Sequence, residues 1–419
     1  MALRDPRATE HPAPRVMMSL RRQARNGGAR MAIEFARSAR STVGLEWEIA
    51  IVDRATGELA SVAGQVLDAL DAGSAGGHHP FITSELLTNT VELVSDVHET
   101  VAGAVADLEH QLAEVRAVID GIGEYDLICA GSHPFSQWYD QHLTDKPRYH
   151  KLIERTRWWG RNMMIWGVHV HVGIDDRDKA LPILDGLLAY LPHLQALSAS
   201  SPFWAGVDTG YASNRALMFQ QLPTAGLPYP LADWPAYERY VGDLMRTGVI
   251  EDHSEVRWDI RPSPKWGTVE VRVCDGLSTA AEIAAIGALV QCLVEWMSTR
   301  LDEGGTLTVL QPWYVRENKW RAARYGLEAE VITDVAGTER PVADDLRELL
   351  TTLAPIADRL GCGVELQQVR AMLDSGASYA RQLRVADAAG GDLRAVVAHL
   401  ARELRGGIEN EPPAASVVD

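Results

Sequence analysis

The sequence predicts an α+β fold in which helices cover the apolar face of one antiparallel sheet and the polar face curls around a site. Three observations support this prediction. Several strand-like segments are separated by 25 residues or more, and helical patterns are interspersed and then gather toward the C-terminal end. Three strands also carry polar, ligand-type residues on one face and apolar residues on the other. These features favour α+β over a doubly wound parallel sheet.

Hydrophobic periodicity places the elements along the chain. Alternation with a period of two predicts strands, and apolar residues three or four positions apart predict helices. The predicted strands are 42–52, 90–94, 126–131, 166–174, 255–260 and 268–274. The predicted helices are about 61–72, 99–120, 144–158, 179–199, 279–301, 342–359 and 364–374, with further helix over 378–404.

The pattern indicates one domain between two terminal segments. We expect residues 39–405 to form a single domain and residues 406–419, rich in Gly, Pro and small residues, to be a disordered tail. Residues 1–38 are expected to be a disordered extension, and nine arginines lie within the first 40 residues. An over-long start, with the folded chain beginning near Met31, is preferred to a nucleic-acid-binding arm.

Composition excludes several classes of protein. The chain is 46% hydrophobic and 23% charged, with a net charge of −17, which supports a sizeable core and disfavours a nucleic-acid partner. The longest uninterrupted apolar stretch, 283–290, is too short to span a membrane. No apolar segment of secretory type is present at the start, and the four cysteines are far apart with no CxxC pair. We therefore expect a cytoplasmic protein with reduced thiols and neither a zinc site nor disulfides.

Two segments carry unexpected carboxylates. Glu46 and Glu48 share the polar face of the strand 42–52, about 7 Å apart. Glu85 and Glu92 lie seven residues apart in "SELLTNTVELVSD" and could converge if the intervening run is helical or turn-like. Taken singly, each pair could also be ordinary exposed acids.

Two further segments add nitrogen ligands and cations. His169 and His171 alternate with valines in "WGVHVHVGI", so they share one face and could ligate a metal or reach a phosphate. Core histidines bonded to backbone carbonyls are the alternative. Glu270 and Arg272 share a face in "TVEVRV", which could be a cross-strand ion pair alone. Arg257 and Arg261 lie just upstream.

Together these residues point to phosphoryl transfer. Five carboxylates, two histidines and several arginines that converged on one face would be costly without counter-ions. Oxygen-rich clusters suit Mg²⁺ or Mn²⁺ better than zinc, and guanidinium groups match phosphate oxygens. No Walker A pattern, GxGxxG after a strand or HExxH motif occurs, so a nucleotide would not be held by a P-loop.

In order along the chain, these segments resemble the glutamine synthetase superfamily, and within it the bacterial carboxylate–amine ligases of the glutamate–cysteine ligase branch. The resemblance covers nearly nine-tenths of the chain. The resembling segments are "TVGLEWEIAIVD", "GSHPFSQW", "GVHVHVGI", "LSASSPFWAGVDTGYASNR", "WDIRPSPKWGTVEVRV" and "ENKWRAARYGLEAEVITD".

The resemblance implies a funnel-shaped, bent antiparallel sheet with ATP entering one end, glutamate the other, and two or three Mg²⁺ at the waist. It implies that Glu48, Glu85 and Glu92 hold the metal nearest the glutamate. Position 85 is an aspartate in some relatives, and the extra methylene of Glu85 still allows ligation. The other implied residues are Glu46, Glu270 and His169 for the metal that bridges the ATP phosphates, Arg272 for the transferring phosphoryl group, and Arg257 and Arg261 for phosphate or the γ-carboxylate.

The activity implied is ATP-dependent joining of a carboxylate to an amine through an acyl phosphate. Glutamate and cysteine, giving γ-glutamylcysteine, are the expected pair, although no residue identifies the amine. Arg215, His133 and His171 are candidate substrate contacts, with a loop ion pair and a strand-end histidine as alternatives for the first two. Kinship suggests a homodimer.

Other functions stay open on the residues alone. A two-metal hydrolase could use the same acids without ATP. A non-catalytic relative could bind an acidic metabolite with the same face. A glycosidase is disfavoured because tryptophans such as Trp47, Trp166 and Trp258 alternate with the polar positions and so point into the core.

Overall fold

The computed structural model describes residues 32–74 and 76–407. In chain order, its strands are β1 (Val43–Asp53), β2 (Ile82–Ser84), β3 (Thr90–Val94), β4 (Tyr125–Ile128), β5 (Val168–Gly173), β6 (Phe203–Trp204), β7 (Val207–Asp208), β8 (Ile260–Ser263), β9 (Thr268–Val271), β10 (Glu330–Ile332) and β11 (Glu339–Pro341). Its helices are α1 (Ala63–Gly73), α2 (Val101–Ile122), α3 (Pro147–Thr156), α4 (Trp158–Arg161), α5 (Arg177–Leu187), α6 (Leu191–Ser198), α7 (Asn214–Phe219), α8 (Trp234–Arg246), α9 (Ala280–Asp302), α10 (Pro312–Tyr325), α11 (Val342–Leu360), α12 (Gly363–Ser375), α13 (Ser378–Ala388) and α14 (Leu393–Gly406).

The central sheet has seven strands, all paired antiparallel. Its order is β2-β3-β1-β5-β9-β8, and β4 also pairs with β1. Strand β1 has three partners: β3, β5 along its first half, and β4 along its second half. The predicted antiparallel sheet is confirmed, with β1 as its hub.

The two faces of β1 differ as the alternation predicts. Its odd-numbered residues from Val43 to Ile51 are fully buried in the main hydrophobic core, against helices α2 and α9. The indole of Trp47 donates a hydrogen bond to the carbonyl of Leu277 at 3.0 Å, which satisfies the polar atom of this core side chain. The even-numbered glutamates project from the opposite face.

Helix α9 corrects the sequence argument about membrane-spanning segments, which considered only the apolar run 283–290. Although its longest uninterrupted apolar run is short, the whole helix is long and apolar enough to cross a membrane. Most of it is buried inside the protein, where it packs against β1, α2 and α12. It is the central core helix of the domain.

Several predicted elements differ from the observed ones. The strand predicted at 255–260 lies instead at β8, because a capping box formed by Asp252 and Glu255 turns the preceding residues into a 3₁₀ turn. The helix predicted at 144–158 breaks at Arg157, whose φ is 51°. Glycines 390 and 391, both with positive φ, divide the last predicted helix into α13 and α14.

The N-terminal boundary is also earlier than predicted. Ile33 is buried, its N–H donates to Glu238 Oε1 at 3.1 Å, and its carbonyl accepts from the indole of Trp234 at 3.3 Å. Ile33 and Phe35, whose ring lies 5.3 Å from that of Trp234, therefore pack on α8, a helix that the periodicity did not predict. The rest of the expected extension, and residues 408–419 of the expected tail, lie outside the described residues.

All four cysteines are buried and free. Although they are far apart in the sequence, two of them lie close together in the fold. The sulfur atoms of Cys292 in α9 and Cys362 before α12 lie 3.6 Å from each other.

Candidate active site

Strand register brings the predicted ligands onto one face of the sheet. Glu48 of β1 lies opposite Glu92 of β3, and Glu46 lies opposite His169 of β5. On the next strand pair, His171 lies opposite Glu270. Because these side chains all project from the same face of the sheet, a row of acids and imidazoles runs across the four adjacent strands β3, β1, β5 and β9.

Three overlapping groups, formed by this row together with Glu85 just after β2, have ligand atoms within 4.8 Å of one another. The groups are Glu48 with Glu85 and Glu92, Glu46 with Glu92 and His169, and Glu46 with His171 and Glu270. The first group contains the three residues that the resemblance implies for one metal. In the other predicted set, the structure places His171, rather than His169, beside both Glu46 and Glu270.

Glu46 lies between the two histidines. Its carboxylate is 2.6 Å from His169 Nδ1 and 3.1 Å from His171 Nε2. Burial alone would raise the pKa of Glu46, but the hydrogen bonds from the two imidazoles outweigh burial and hold it well below its usual range. Burial and the positive charge of Arg272 lower the pKa of His169 to about 4, so this imidazole is neutral at neutral pH.

His169 has a free ligand atom. Its Nε2 is buried and, among the described residues, has no hydrogen-bond partner. A buried nitrogen lone pair without a donor is costly unless a ligand occupies it. The atom that the structure leaves unsatisfied is therefore the one that a cation beside Glu46 and Glu92 would use.

The acids Glu48, Glu85 and Glu92, here called the acid triad, have raised pKa values because burial and mutual repulsion disfavour their charged forms. Burial and the neighbouring charge of Glu85 raise the pKa of Glu48 to about 7. Burial, followed by repulsion from Glu85 and Glu46, raises the pKa of Glu92 well above its usual value. Oxygen atoms this close without a counter-ion match the preference of hard divalent cations, so the donor set fits Mg²⁺.

The acid triad should make stability depend on pH. The pKa of Glu48 is about 7 in the fold and about 4.3 in an unfolded chain, so the folded protein binds this proton more tightly. Protonated Glu48 therefore adds to the free energy of unfolding below about pH 4.3, and this stabilisation is lost as the pH rises through 7. In EDTA, we expect the wild type to lose about 3 kcal/mol more stability than Glu48→Gln between pH 4 and 8. Thermal unfolding at each pH measures this difference. Equal pH slopes for the two proteins would contradict it.

Two arginines hold Glu270. Arg261 Nε donates to Glu270 Oε2 at 2.7 Å, and Arg272 Nη1 donates to the other oxygen. Burial would raise the pKa of Glu270, but the two guanidinium groups lower it strongly, so it is ionised. Arg272 is half-buried, and its buried Nε has no hydrogen-bond partner among the described residues. Two cationic groups thus border the acids at the β9 side.

Two other predicted arginines are also near this face. Arg215 at the start of α7 is buried, donates from Nη1 to the carbonyl of Arg272 at 3.1 Å, and its charge lowers the pKa of Glu48. Arg257 donates a hydrogen bond to the carbonyl of Glu255 at 3.1 Å. Burial is the main cause that lowers the pKa of Arg257, and the nearby charges of Arg272 and Arg261 lower it further.

His133 is not available as a substrate contact. Its ring is completely buried, Nε2 bonds the carbonyl of Gly57 at 2.9 Å, and Nδ1 accepts from the backbone N–H of Ser136 at 2.9 Å. Burial lowers its pKa to about 3. Both nitrogens are used in joining two loops, so the predicted role in substrate binding is wrong and the residue is structural.

Three residues near the acid triad were not predicted from the sequence as site residues: Lys146, Arg148 and Tyr149. The charges of Glu85 and Glu92 act on all three. They reach this position because the loop before α3 pairs with the loop after β2, where Thr144 Oγ1 donates to the carbonyl of Glu85 at 2.6 Å. The basic residues were visible in the sequence, but this pairing of loops has no periodic signal.

With this geometry established, comparison with known proteins identifies the family. The sequence profile of glutamate–cysteine ligase family 2 matches residues 42–399. The chain belongs to this family. Its membership confirms the predicted enzyme class, an ATP-dependent ligase acting on small molecules.

Two bacterial members of the family are similar over nearly their whole length. A Leifsonia xyli protein named "Putative glutamate--cysteine ligase 2" is 64% identical over 376 residues, which cover 90% of this chain and 99% of the relative. A protein of the same name from Clavibacter michiganensis is 60% identical over 384 residues, covering 91% of this chain and 99% of the relative.

Two solved structures resemble the fold of this family member. The glutamate–cysteine ligase of Francisella tularensis, in complex with AMP, has a TM-score of 0.63 and 14% identity, covering 90% of this chain and 91% of its own. A bifunctional glutathione synthetase from Pasteurella multocida has a TM-score of 0.61 and 16% identity, covering 87% of this chain and 52% of its own. At these identities the likeness concerns the fold, and it confirms the predicted α+β class.

Proposed function

We propose that this family member uses ATP to phosphorylate the γ-carboxylate of glutamate and then joins the acyl group to an amine. Cysteine is the first candidate amine, giving γ-glutamylcysteine. The names of the relatives and the AMP bound to the Francisella ligase support this proposal. The observation that carries it is the meeting of three largely half-buried acid groups with the arginines Arg261 and Arg272 on one face of the sheet.

The acid groups would hold divalent cations. Glu48, Glu85 and Glu92 form one candidate ligand set, and Glu46 with its neighbouring carboxylates and imidazoles forms the other. Bound Mg²⁺ would neutralise phosphate oxygens and polarise the transferring phosphoryl group. Neutral His169 can ligate through its free Nε2, since its other nitrogen is already held by Glu46.

The remaining residues supply positive charge. Arg272 is half-buried beside Glu270, so its guanidinium can donate a hydrogen bond to a phosphoryl oxygen without leaving its carboxylate. Arg261 is held by backbone carbonyls at 2.7 and 2.9 Å in addition to Glu270, which fixes its orientation. Groups fixed in advance stabilise developing charge without reorganisation.

The bond changes require no protein nucleophile. A γ-carboxylate oxygen attacks the γ-phosphorus of ATP, the bond from that phosphorus to the β–γ bridging oxygen breaks, and ADP leaves. The amine nitrogen then attacks the acyl carbon, inorganic phosphate leaves with the C–O bond electrons, and the nitrogen loses a proton. Positioning and charge neutralisation account for both steps.

A trapping experiment tests this proposal. With ATP, Mg²⁺, glutamate and hydroxylamine, we expect γ-glutamyl hydroxamate and ADP in equal amounts, since hydroxylamine captures an acyl phosphate. A panel of natural amines, with cysteine first, then identifies the acceptor by phosphate release. Release of phosphate that ignores both carboxylate and amine would indicate a hydrolase, and binding without turnover would indicate a non-catalytic relative.

A cytoplasmic location and a homodimer complete the proposal. Fractionation of cells that produce the protein tests the first prediction, and light scattering on the purified protein tests the second. Recovery with the membrane fraction, or a mass of one chain, would contradict them.

A further inference from the structure

The first turn of α3 lies against the acid triad. The loops before α3 and after β2 pair through a backbone hydrogen bond from Thr144 to the carbonyl of Leu86, at 3.0 Å. Thr144 also bonds the carbonyl of Glu85, and the hydroxyl of Tyr149 lies 3.5 Å from the carbonyl of Ser84. These contacts fix the start of α3 beside Glu85.

Two cations on this turn have no acidic partner. In residues 32–74 and 76–407, no carboxylate oxygen lies within 4.0 Å of Lys146 Nζ or of the Arg148 guanidinium. The contacts of Arg148 are with Tyr149: Nη2 donates to the phenol oxygen at 2.5 Å, and the guanidinium lies 4.5 Å from the ring centre. Arg261 and Arg272, in contrast, are both bound to Glu270.

Their position is unusual for unpaired cations. Arg148 is exposed and Lys146 is half-buried, yet both are close enough to Glu85 and Glu92 to interact with their charges. The tyrosine ring orients the guanidinium through stacking and one hydrogen bond, which leaves its other donors free. An oriented guanidinium beside a cluster of polar side chains is suited to a carboxylate.

We propose that Arg148, assisted by Lys146 and oriented by Tyr149, binds the α-carboxylate of the amino-acid substrate. This inference rests on the proposed function, because that function places the γ-carboxylate near the acid triad. The second carboxylate of such a substrate needs a cation of its own, and Arg148 and Lys146 are free to provide it. Arg148 then determines specificity, since it distinguishes a dicarboxylic amino acid from a monocarboxylic one.

The test compares glutamate with 4-aminobutyrate, which is glutamate without its α-carboxylate. Using the hydroxamate assay at saturating ATP, we expect Arg148→Gln to raise KM for glutamate about tenfold or more, since a charge-assisted hydrogen bond is lost. KM for ATP and the rate with 4-aminobutyrate should stay unchanged. Arg148→Lys should restore part of the affinity, and Lys146→Gln should show a smaller effect in the same direction.

Arg155→Gln is the matched control. Arg155 lies on the same helix, is exposed, and bonds the carbonyl of Val249 instead of acting on the acid triad. It should leave both KM values unchanged. If Arg148→Gln keeps the wild-type KM for glutamate, or raises the KM for ATP and glutamate alike, the inference is wrong.

Direct binding separates this inference from the proposed function. If the wild type forms no hydroxamate, the proposed function fails, and calorimetric titration with glutamate in Mg²⁺ still tests the subsite. Weaker glutamate binding in Arg148→Gln, with intact binding in Arg155→Gln, would support the subsite alone. Absence of glutamate binding to the wild type would overturn it.

Discussion

Glu48→Gln is expected to reduce turnover at least about a hundredfold while leaving the melting temperature, measured in EDTA, unchanged or higher. Glu48 is a member of the acid triad, and the substitution would remove the negative charge of one ligand from the candidate metal site. The amide keeps the shape of the side chain and can still accept the hydrogen bond from Gly167 N–H. It also removes repulsion with Glu85, which is why stability should not fall.

Hydroxamate formation, calorimetric titration of Mg²⁺ and thermal unfolding measure the three expected effects. Glu109→Gln on α2 is the matched control, because Glu109 is exposed and takes part in none of the three acid groups. Normal activity with normal Mg²⁺ binding in Glu48→Gln would remove Glu48 from the metal site. A collapse of the melting temperature would show that the carboxylate is structural.

Arg272→Lys is expected to lower kcat by about tenfold to a hundredfold with little change in KM for glutamate. Lysine keeps the positive charge, so Glu270 stays ionised. An ammonium group cannot, however, hold Glu270 and reach a phosphoryl oxygen with the planar geometry of a guanidinium. The loss should therefore fall on the transition state, where charge on those oxygens increases.

Steady-state kinetics of hydroxamate formation separates kcat from KM for this variant. Arg54→Lys is a suitable control, because Arg54 is an exposed arginine paired with Glu124 at 3.0 Å and lies at the far end of β1. An unchanged kcat in Arg272→Lys would assign Arg272 to the ion pair with Glu270 alone.

The parts of the fold that depend on local pattern could be predicted from the sequence. Strand β3 has the predicted bounds, and β1 and α9 lie within a residue or two of theirs, because their alternation or apolar spacing is regular. Helix α8 was not predicted, and β8 was displaced by a capping box. Tertiary contacts determine α8, which is covered by Ile33 and Phe35 from a stretch that has no periodicity of its own.

The site could be predicted only where strand faces determine it. Glu46, Glu48 and Glu92 converge because period-two facing and antiparallel pairing align them. The roles of His169 and His171 depend on the strand register, which decides which of the two histidines lies opposite Glu270. A single sequence does not reveal that register. His133 was assigned wrongly because its partners are backbone atoms of a distant loop. Arg148 was missed because loop pairing places it.

Strand β1 carries two of the ligands and is hydrogen-bonded along both edges to β3, β4 and β5. Its backbone amides should therefore be among the slowest in the protein to exchange with deuterium. The glutamates on it cannot move apart through strand motion when a bound cation is removed. Electrostatic repulsion is then held in a rigid frame, so binding of a divalent ion costs little rearrangement and should be rapid as well as tight.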